Sequence, residues 1–271
     1  MQNGDRLDHE ALENFPNGAK LSWGIVKQPK RGPKGELSIK KIVEAAIAIA
    51  DKDGLSAVSM NRVAGSLGFT TMSLYRYISS KDDLMLLMQD AVCEMAIPPE
   101  KAEPDWREEM REYVRVCIEV FCKHPWFGDI PIMGIPVTPN NLQIVDWVLR
   151  PMRSFPLNDY EKMSIVLLLS SYSRSTGMIQ RDMLRAIQAG GSANTFSGLN
   201  YSAALKHLVK PERFPNLHPI VMSGAYTGEN ESENTVGNDF DFGLERILDG
   251  IQHYLDLKQA QQSDKIGRLD F

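Results

Sequence analysis

Long apolar runs are missing from the sequence, and none of its apolar segments approaches the ~20 residues that span a bilayer. Residues 1–19 are acidic and polar, unlike a signal peptide. We therefore expect a cytoplasmic protein without a membrane partner. The chain has 271 residues, 43% of them hydrophobic, so it can bury a core in one large domain or two smaller ones.

Cysteine is also scarce, with three in the chain, at positions 93, 117 and 122. No pair has the spacing of metal ligands, and Cys117 and Cys122 would point in different directions on a helix. We interpret the three as small buried side chains in a reducing cytosol, with a redox sensor as the alternative. We predict no metal and no cofactor.

Strand-like alternation and sequence repeats are absent as well. Apolar residues recur instead at helical spacing, which predicts an all-α fold. Beyond residue 100 we predict helices at 105–123, 140–154, 159–189, 199–209 and 240–257. Prolines and glycines make 124–139 irregular, and the polar segment 223–238 is expected to be disordered.

Charge is distributed unevenly along the chain. The net charge is −5, but residues 20–81 carry 11 Lys and Arg against 4 Asp and Glu. A basic block on an acidic body indicates that one part of the protein meets phosphate. Residues 1–36 are predicted to be a flexible basic arm, either a solvated tail or an arm that lies along a phosphate backbone or in a minor groove.

The first hundred residues show a helix-turn-helix pattern. Ser38, Ser59 and Ser80 are good N-caps, and Ser80 has capping-box spacing to Asp83. They predict a long first helix, a short second one from Ser59 and a fourth helix from Ser80 to about residue 97. A short third helix is predicted at about 71–78. Two short helices joined by a tight turn are typical of a helix-turn-helix.

The third helix carries more polar side chains than packing requires. Leu74 and Ile78 suffice to seat it, which leaves hydroxyls, tyrosines, an arginine and a methionine on its other sides. Hydroxyls bind phosphates, arginine can bind guanine, and Thr and Met can touch thymine methyl groups. On this chemistry we predict that DNA is contacted by Thr70, Thr71, Met72, Ser73, Tyr75, Arg76, Tyr77 and Lys81. For Tyr77 the alternative is packing against the fourth helix.

Four motifs within residues 42–92 resemble the N-terminal domain of TetR-family transcriptional regulators. They are A-x-x-x-x-D-x-x-G-L, S-M-x-x-V-A-x-x-L-G, M-S-L-Y-R-Y and S-K-D-x-L. The segments "KHPWFGDIPIMGIPVTPNNLQIVDWVL" and "FDFGLERILDGI" resemble the ligand-binding domain of the tetracycline-repressor-like subgroup.

This resemblance implies a homodimer with two DNA-binding heads, a palindromic operator and a small hydrophobic or aromatic ligand that weakens DNA binding. It adds Asn61 to the expected DNA contacts. Some members carry a basic residue there, so the operator sequence is open at this position. The magnesium chelate of tetracycline repressors is not carried over, because no equivalent ligand cluster is visible.

Expected ligand contacts come from the apolar body. The candidates are Phe121, Trp126, Met133, Trp147, Tyr172, Arg174 and Met178, and ordinary core packing is the alternative for each. Arg174 lies in an apolar and hydroxyl-rich stretch, where it needs an anion, a carboxylate or solvent, and could meet an acidic ligand. The helices 159–189 and 240–257 have apolar residues on more than one face, which suits a four-helix dimer interface.

The predicted organisation has four parts: a flexible arm at 1–36, a helix-turn-helix domain at 37–83, a ligand-binding and dimerisation domain at 84–258 and a flexible tail at 259–271. The predicted function is a ligand-responsive repressor. A DNA-binding regulator without a ligand is the alternative. A helical enzyme that uses His124, Asp129 or Glu245 is disfavoured, because no nucleophile, base and orienting group form a recognisable arrangement.

Overall fold

The computed structural model describes residues 12–26, 37–132, 134–190, 199–229, 236 and 238–267, without the side chains of 263–267. By internal contacts the chain divides into unit 1, residues 1–154, and unit 2, residues 155–271. All regular elements in the described ranges are helical, which confirms the all-α prediction. The functional boundary expected near residue 84 remains a prediction.

The described residues of unit 1 form seven α-helices: α1 (Asn17–Ser22), α2 (Ile39–Asp53), α3 (Met60–Ser66), α4 (Thr71–Tyr75), α5 (Lys81–Val92), α6 (Trp106–Lys123) and α7 (Pro139–Leu149). Short 3₁₀ turns lie at Leu55–Ala57, Pro125–Asp129 and Arg150–Met152. Unit 2 contains α8 (Asp159–Gln188), α9 (Ser202–Leu208), α10 (His218–Met222) and α11 (Asp239–Gly267). Its 3₁₀ turns are Leu199–Tyr201 and Ala225–Thr227. Among the described residues, no helix combines the length and apolarity needed to cross a membrane.

Three serine caps set the starts of α2, α3 and α5, as predicted. The hydroxyl oxygens of Ser38 and Ser59 each accept a backbone N–H at 3.2 Å, and that of Ser80 accepts the N–H of Asp83 at 3.0 Å. Each bond satisfies a donor that the first turn of a helix leaves unpaired.

A single apolar core holds α2 to α5 together. Its fully buried side chains include Leu74 and Ile78, which confirms that these two residues seat the third helix. The same core contains Leu21 of α1 and Trp126 and Ile130 from the segment after α6. The helix-turn-helix therefore packs on elements from both earlier and later in the chain.

Part of the expected flexible arm is ordered, which differs from the sequence-based expectation. Residues 17–22 form α1, and Gly18, Ala19 and Leu21 in it are buried. The helix was missed because its apolar pattern is short and its cap comes from elsewhere in the chain. The rest of the arm, 1–11 and the basic segment 27–36, lies outside the described residues.

Other helix ends differ from the predicted ones. The third helix ends at Tyr75 rather than Ile78, because the chain turns after it and the N–H groups of Tyr77 and Ile78 both donate to the Leu74 carbonyl, at 2.8 and 3.0 Å. The helix α5 ends at Val92, five residues before the expected Ile97. The last helix continues to residue 267, so the predicted flexible tail is helical over most of its length. Within 223–238, residues 223–229 form turns, and 230–235 and 237 are outside the described ranges.

Buried polar contacts join α5, α6 and α7 in unit 1. Asp90, near the end of α5, accepts the backbone N–H of Asn140 at 2.9 Å and so caps α7. Buried Glu109 of α6 accepts a bond of 3.0 Å from Nε of Arg150, which also donates to the Pro98 carbonyl at 2.7 Å. These bonds hold the C-terminal end of α5 to the two following helices.

In unit 2, α8 and α11 pair through side chains at the start of α8. Glu161 completes a capping box with Asn158. The same carboxylate accepts a hydrogen bond from the Tyr254 hydroxyl and pairs with Lys258 of α11. Further along, the Tyr172 hydroxyl donates to the Phe240 carbonyl. Glu161 thus serves both the end of its own helix and the contact with α11.

Candidate nucleic-acid interface

The recognition-helix candidate α4 is a five-residue helix whose start is capped by its neighbour Thr70. The Thr70 hydroxyl accepts the N–H of Ser73 at 3.3 Å and lies 2.9 Å from the Ser73 hydroxyl. Such a short helix is not stable alone, so this cap and the buried Leu74 fix its position. Thr70 and Ser73 therefore have a structural task in addition to the predicted contact with DNA.

Asn61 and Thr71 join the starts of α3 and α4. The Thr71 hydroxyl donates to Oδ1 of Asn61 at 3.2 Å. This bond leaves the Nδ2 group of the exposed Asn61 side chain to donate outward. Two residues predicted separately, one from motif and one from chemistry, thus lie side by side.

The outward side of α4 is occupied by Met72, Tyr75 and Arg76. Met72 is 72% exposed and Tyr75 is 45% exposed, and Arg76 follows in the exposed turn. The Tyr77 ring is half-buried and packs against the core, and its contact with DNA remains a prediction. Large side chains exposed at adjacent positions of a short helix offer an apolar contact, a hydroxyl and a guanidinium within one surface.

The corner between α4 and α5 carries the exposed Lys81. Ser80 caps α5 here, and its hydroxyl donates to Oδ2 of Asp83 at 2.8 Å. The other carboxylate oxygen of buried Asp83 accepts the N–H of Gly18 at 2.6 Å. The acidic charge of Asp83 is therefore turned inward, while the ammonium of Lys81, two residues earlier, lies outside.

We name the exposed surface formed by Asn61, Thr71, Met72, Tyr75, Arg76 and Lys81 the α4 face. It combines an amide, hydroxyls, an apolar side chain and two cations. These groups bind phosphate oxygens and the edges of bases in a major groove, which admits a helix. It lacks the base and nucleophile pair that hydrolytic chemistry requires.

Comparison with known proteins agrees with this geometry. Residues 42–88 match the family described as "Bacterial regulatory proteins, tetR family", and residues 98–255 match "Tetracyclin repressor-like, C-terminal domain". The chain belongs to the TetR family. It is 34% identical over 242 residues to the HTH-type transcriptional repressor DrrR1 of Streptomyces coeruleorubidus, an alignment that covers 86% of this chain and 84% of that protein.

Solved TetR-family structures share the fold. ActR of Streptomyces coelicolor in complex with actinorhodin superposes with a TM-score of 0.66 at 28% identity, over 83% of this chain and 98% of ActR. Apo ActR gives a TM-score of 0.62 at 28% identity, over 79% of this chain and 94% of ActR. The helix-turn-helix that carries the α4 face is therefore the DNA-binding element of a TetR-family regulator.

Three of the expected ligand contacts of this TetR-family chain lie in unit 1. Phe121 stacks on Phe127 with ring centroids 5.2 Å apart, and Trp147 meets Tyr113 edge-on at 5.8 Å. Trp126 is fully buried. These are the contacts of core residues, and a role in ligand binding remains a prediction for all three.

Three others lie in unit 2, and one is not described. Tyr172 is tied to Phe240, and Arg174 and Met178 are half-buried on α8. On the same helix, Ser173, Thr176 and Arg181 are buried, so α8 carries more interior polar groups than the sequence indicated. Met133 is outside the described residues.

A cleft of about 570 Å³ opens in unit 1 between the end of α5 and α6. It is lined by Val92, Glu94, Met95, Val116, Glu119, Val120, Cys122, Lys123 and His124. None of the seven predicted ligand contacts lines it. Periodicity does not reveal such a cleft, because its lining mixes apolar and charged residues from two helices.

Two observations at the described positions concern metal binding and thiol reactivity. Within those residues, no group of three or more His, Cys, Asp and Glu side chains is arranged to hold a metal ion. Burial raises the pKa of the Cys93 and Cys117 thiols to about 12, so both stay protonated at neutral pH. Protonated thiols are poor nucleophiles and poor targets for oxidation.

Sequence reasoning missed the residues that support the α4 face from behind. Asn17 bonds to Ser79 and Gly18 bonds to Asp83, and in each pair the two residues are more than sixty positions apart in the chain. Asp51 was also missed, although it accepts hydrogen bonds from His124 and Trp126. The sequence signal for Asp83 was its capping-box spacing to Ser80, and sequence reasoning assigned it to that cap alone.

Proposed function

We propose that this TetR-family protein is a ligand-responsive transcriptional repressor that binds a palindromic operator as a homodimer. The observation that carries the proposal is the α4 face, where Tyr75, Arg76 and Lys81 are exposed beside the Asn61–Thr71 pair. Repression is supported by the likeness to DrrR1, which is named a repressor. We do not propose an enzymatic activity.

Five side chains of the α4 face have a proposed role in contact with DNA, and Thr71 holds the Asn61 side chain beside them. Tyr75 and Lys81 bind phosphates, which fixes the position of the head on the duplex. Arg76 donates two hydrogen bonds to a guanine, Asn61 donates to a base or phosphate, and Met72 touches a thymine methyl group. Thr70 and Ser73 hold the start of α4, and because one of their hydroxyls donates to the other, only one of the two keeps a hydrogen that it can donate to DNA.

Dimer formation is supported by unit 2. The helix α8 exposes seven large apolar or aromatic side chains, between 45% and 88% accessible: Tyr160, Met163, Leu167, Leu168, Ile179, Leu184 and Ile187. Phe242, Tyr254 and Leu257 are exposed on α11. We propose that these residues meet their copies in a four-helix bundle, which sets two α4 faces about 34–36 Å apart, one DNA turn.

The effector is proposed to be a small hydrophobic or aromatic molecule. Its support is the likeness to ActR, which has been solved with actinorhodin and with (S)-DNPA. A ligand shifts the equilibrium between two states of the protein only by the difference in its affinity for them. Full release from DNA therefore requires a difference of several kcal/mol between its binding free energies for the two states. The proposed outcome is a dimer whose heads no longer match the operator.

The test is DNA binding by fluorescence anisotropy across a salt series. The probe is a duplex of roughly 30 base pairs, recovered by repeated selection from a random library, with a shuffled duplex as control. We expect tight, salt-dependent binding to the selected duplex and release on addition of actinorhodin or a related aromatic compound. Failure to enrich any sequence would overturn specific DNA binding, and enrichment without release by any compound tested would overturn induction by ligands of this class.

A further inference from the structure

The helix α1 is attached to the corner at which α5 begins. The N–H of Gly18 donates to buried Asp83 at 2.6 Å, and Nδ2 of Asn17 donates to the Ser79 hydroxyl at 2.9 Å. The residue before α1 is Pro16, whose side chain cannot cap. One carboxylate oxygen of Asp83 therefore provides the N-terminal cap that α1 lacks, and the other oxygen takes part in the cap of α5.

The fit between α1 and α5 depends on the absence of a side chain at Gly18. A Cβ at this position would lie 2.7 Å from the carbonyl oxygen and 2.8 Å from the Cα of Asp83. Both are backbone atoms, which cannot rotate away as the end of a flexible side chain can. Leu21 is buried in the core that also contains Leu84, Leu87 and Met88 of α5, so α1 is packed on α5 and is not only tethered to it.

The other end of α1 reaches the loop before α7. The indole N–H of Trp23 donates to the Val137 carbonyl at 2.8 Å. Val137 directly precedes Thr138, the N-cap of α7, and α7 is held at Asn140 by Asp90 from the far end of α5. Together, α1, α5 and the start of α7 form a closed set of contacts on one side of unit 1.

We propose that α1 is a positioning element for DNA binding. It holds the corner Ser79–Asp83, and with it Lys81, in the orientation that meets a phosphate, and it links this corner to the loop at Val137. The inference rests on the proposed contact between Lys81 and DNA. A displacement of the Val137 loop is passed through Trp23 and α1 to the corner, so the affinity for DNA depends on a segment that does not touch DNA.

The experiment is a double-mutant cycle in the full-length chain, with the selected duplex as probe. The variants are Gly18→Ala, Lys81→Ala and the two combined. Gly250→Ala is the matched control, because a Cβ there meets open space. We expect Gly18→Ala to weaken DNA binding about tenfold. It should also lower the salt slope, which is the slope of log affinity against log salt concentration, by about one phosphate contact, as Lys81→Ala does. The combined variant should bind no more weakly than Lys81→Ala alone.

Two milder variants keep the test decisive if Gly18→Ala does not fold. Trp23→Phe removes only the bond to Val137, and Asn17→Ala removes only the bond to Ser79. For each we expect a loss of about threefold, the effect of one hydrogen bond. Amide hydrogen exchange at residues 79–83 should become faster in Asn17→Ala and stay unchanged in Gly250→Ala.

Additive losses of affinity in the double-mutant cycle would show that α1 only stabilises the fold. The same would follow if Gly18→Ala lowered the melting temperature but left the salt slope unchanged. Either result would overturn the proposal. An unchanged affinity in Lys81→Ala would overturn the route through that residue. If the wild-type protein enriched no DNA sequence, the proposed function would fail instead. The effect of α1 on the corner Ser79–Asp83 would then be tested by hydrogen exchange. Unchanged exchange at residues 79–83 in Asn17→Ala would overturn the positioning role of α1 as well.

Discussion

The indole N–H of Trp126 donates a hydrogen bond of 2.6 Å to Asp51. The bond joins the last turn of α2, the helix that precedes the helix-turn-helix, to the turn that follows α6. Nδ1 of His124 lies 2.9 Å from the same carboxylate oxygen. One aspartate thus fastens the DNA-binding helices to a later part of unit 1.

This contact predicts that removal of the Asp51 carboxylate lowers the free energy of unfolding substantially. Asp51→Ala leaves the N–H of fully buried Trp126 without its acceptor, so we expect a loss of about 1–3 kcal/mol in the free energy of unfolding. Asp53→Ala is the matched control, since Asp53 pairs with exposed Arg62 and should cost about 0–1 kcal/mol. Urea denaturation measures both, and equal losses would contradict the assignment.

Arg76 is predicted to read sequence, whereas Lys81 is predicted to bind phosphate. Arg76→Ala should weaken binding to the selected duplex by about 1–3 kcal/mol and binding to a shuffled duplex much less. Lys81→Ala and Tyr75→Phe should weaken both to a similar extent. Lys210→Ala, an exposed lysine of unit 2, serves as the control. An equal effect of Arg76→Ala on the two duplexes would refute the base-reading role.

Glu161 predicts an acid-sensitive pairing of α8 with α11. Hydrogen bonds from Lys258, Tyr254 and the backbone of Asn158 lower the pKa of its carboxyl from 4.5 to about 2. A lowered pKa means that the stabilisation is complete above the unfolded-state value and is lost as the pH falls from about 4.5 towards 2. Glu161→Gln should therefore lower the melting temperature at neutral pH and flatten its fall in this range.

Melting curves of the wild type, Glu161→Gln and the control Glu212→Gln, recorded from neutral pH to about pH 2.5, test this sign. Glu212 is an exposed residue of the same unit. If Glu161→Gln and the wild type lost stability in parallel throughout the acid range, the pairing would not be the source of the acid sensitivity.

The exposed apolar residues of α8 predict the dimer contact. Leu167 is 68% exposed, and Leu167→Glu should weaken association by about 2 kcal/mol or more by burying a charge in an apolar interface. Ile132→Glu, at a 74% exposed apolar position in unit 1, is the control and should leave association unchanged. Light scattering during size-exclusion chromatography measures the mass of each variant over a dilution series. A wild-type monomer would exclude the proposed interface.

Sequence patterns predicted the features that depend on neighbours in the chain. Ser38, Ser59 and Ser80 were correctly identified as caps because a cap needs only a hydroxyl three residues before its donor. Leu74 and Ile78 were identified as core because i, i+4 spacing places them on one face. The surplus of polar side chains on the third helix indicated most of the α4 face, and the family resemblance added Asn61.

Features that depend on distant residues were not predictable in this way. The cap of α1 comes from Asp83, 65 residues later, and the partners of Asp51 lie 73 and 75 residues later. The end of α11 was missed for another reason: residues 258–262 are polar, so no apolar period marks them, although Lys, Gln and Ala favour helix.

The shared core of unit 1 also constrains how such heads can be exchanged between proteins. Trp126 and Ile130 pack with α2–α5, and Leu21 packs with them from the other side. A chimera that replaced only the motif-bearing residues 42–88 would set a foreign surface against these three side chains. A graft that preserves the native packing has to run from α1 to Ile130, so this DNA-binding head is not an interchangeable cassette. New operator specificity is reached more readily by single substitutions on the α4 face, which leave the shared core untouched.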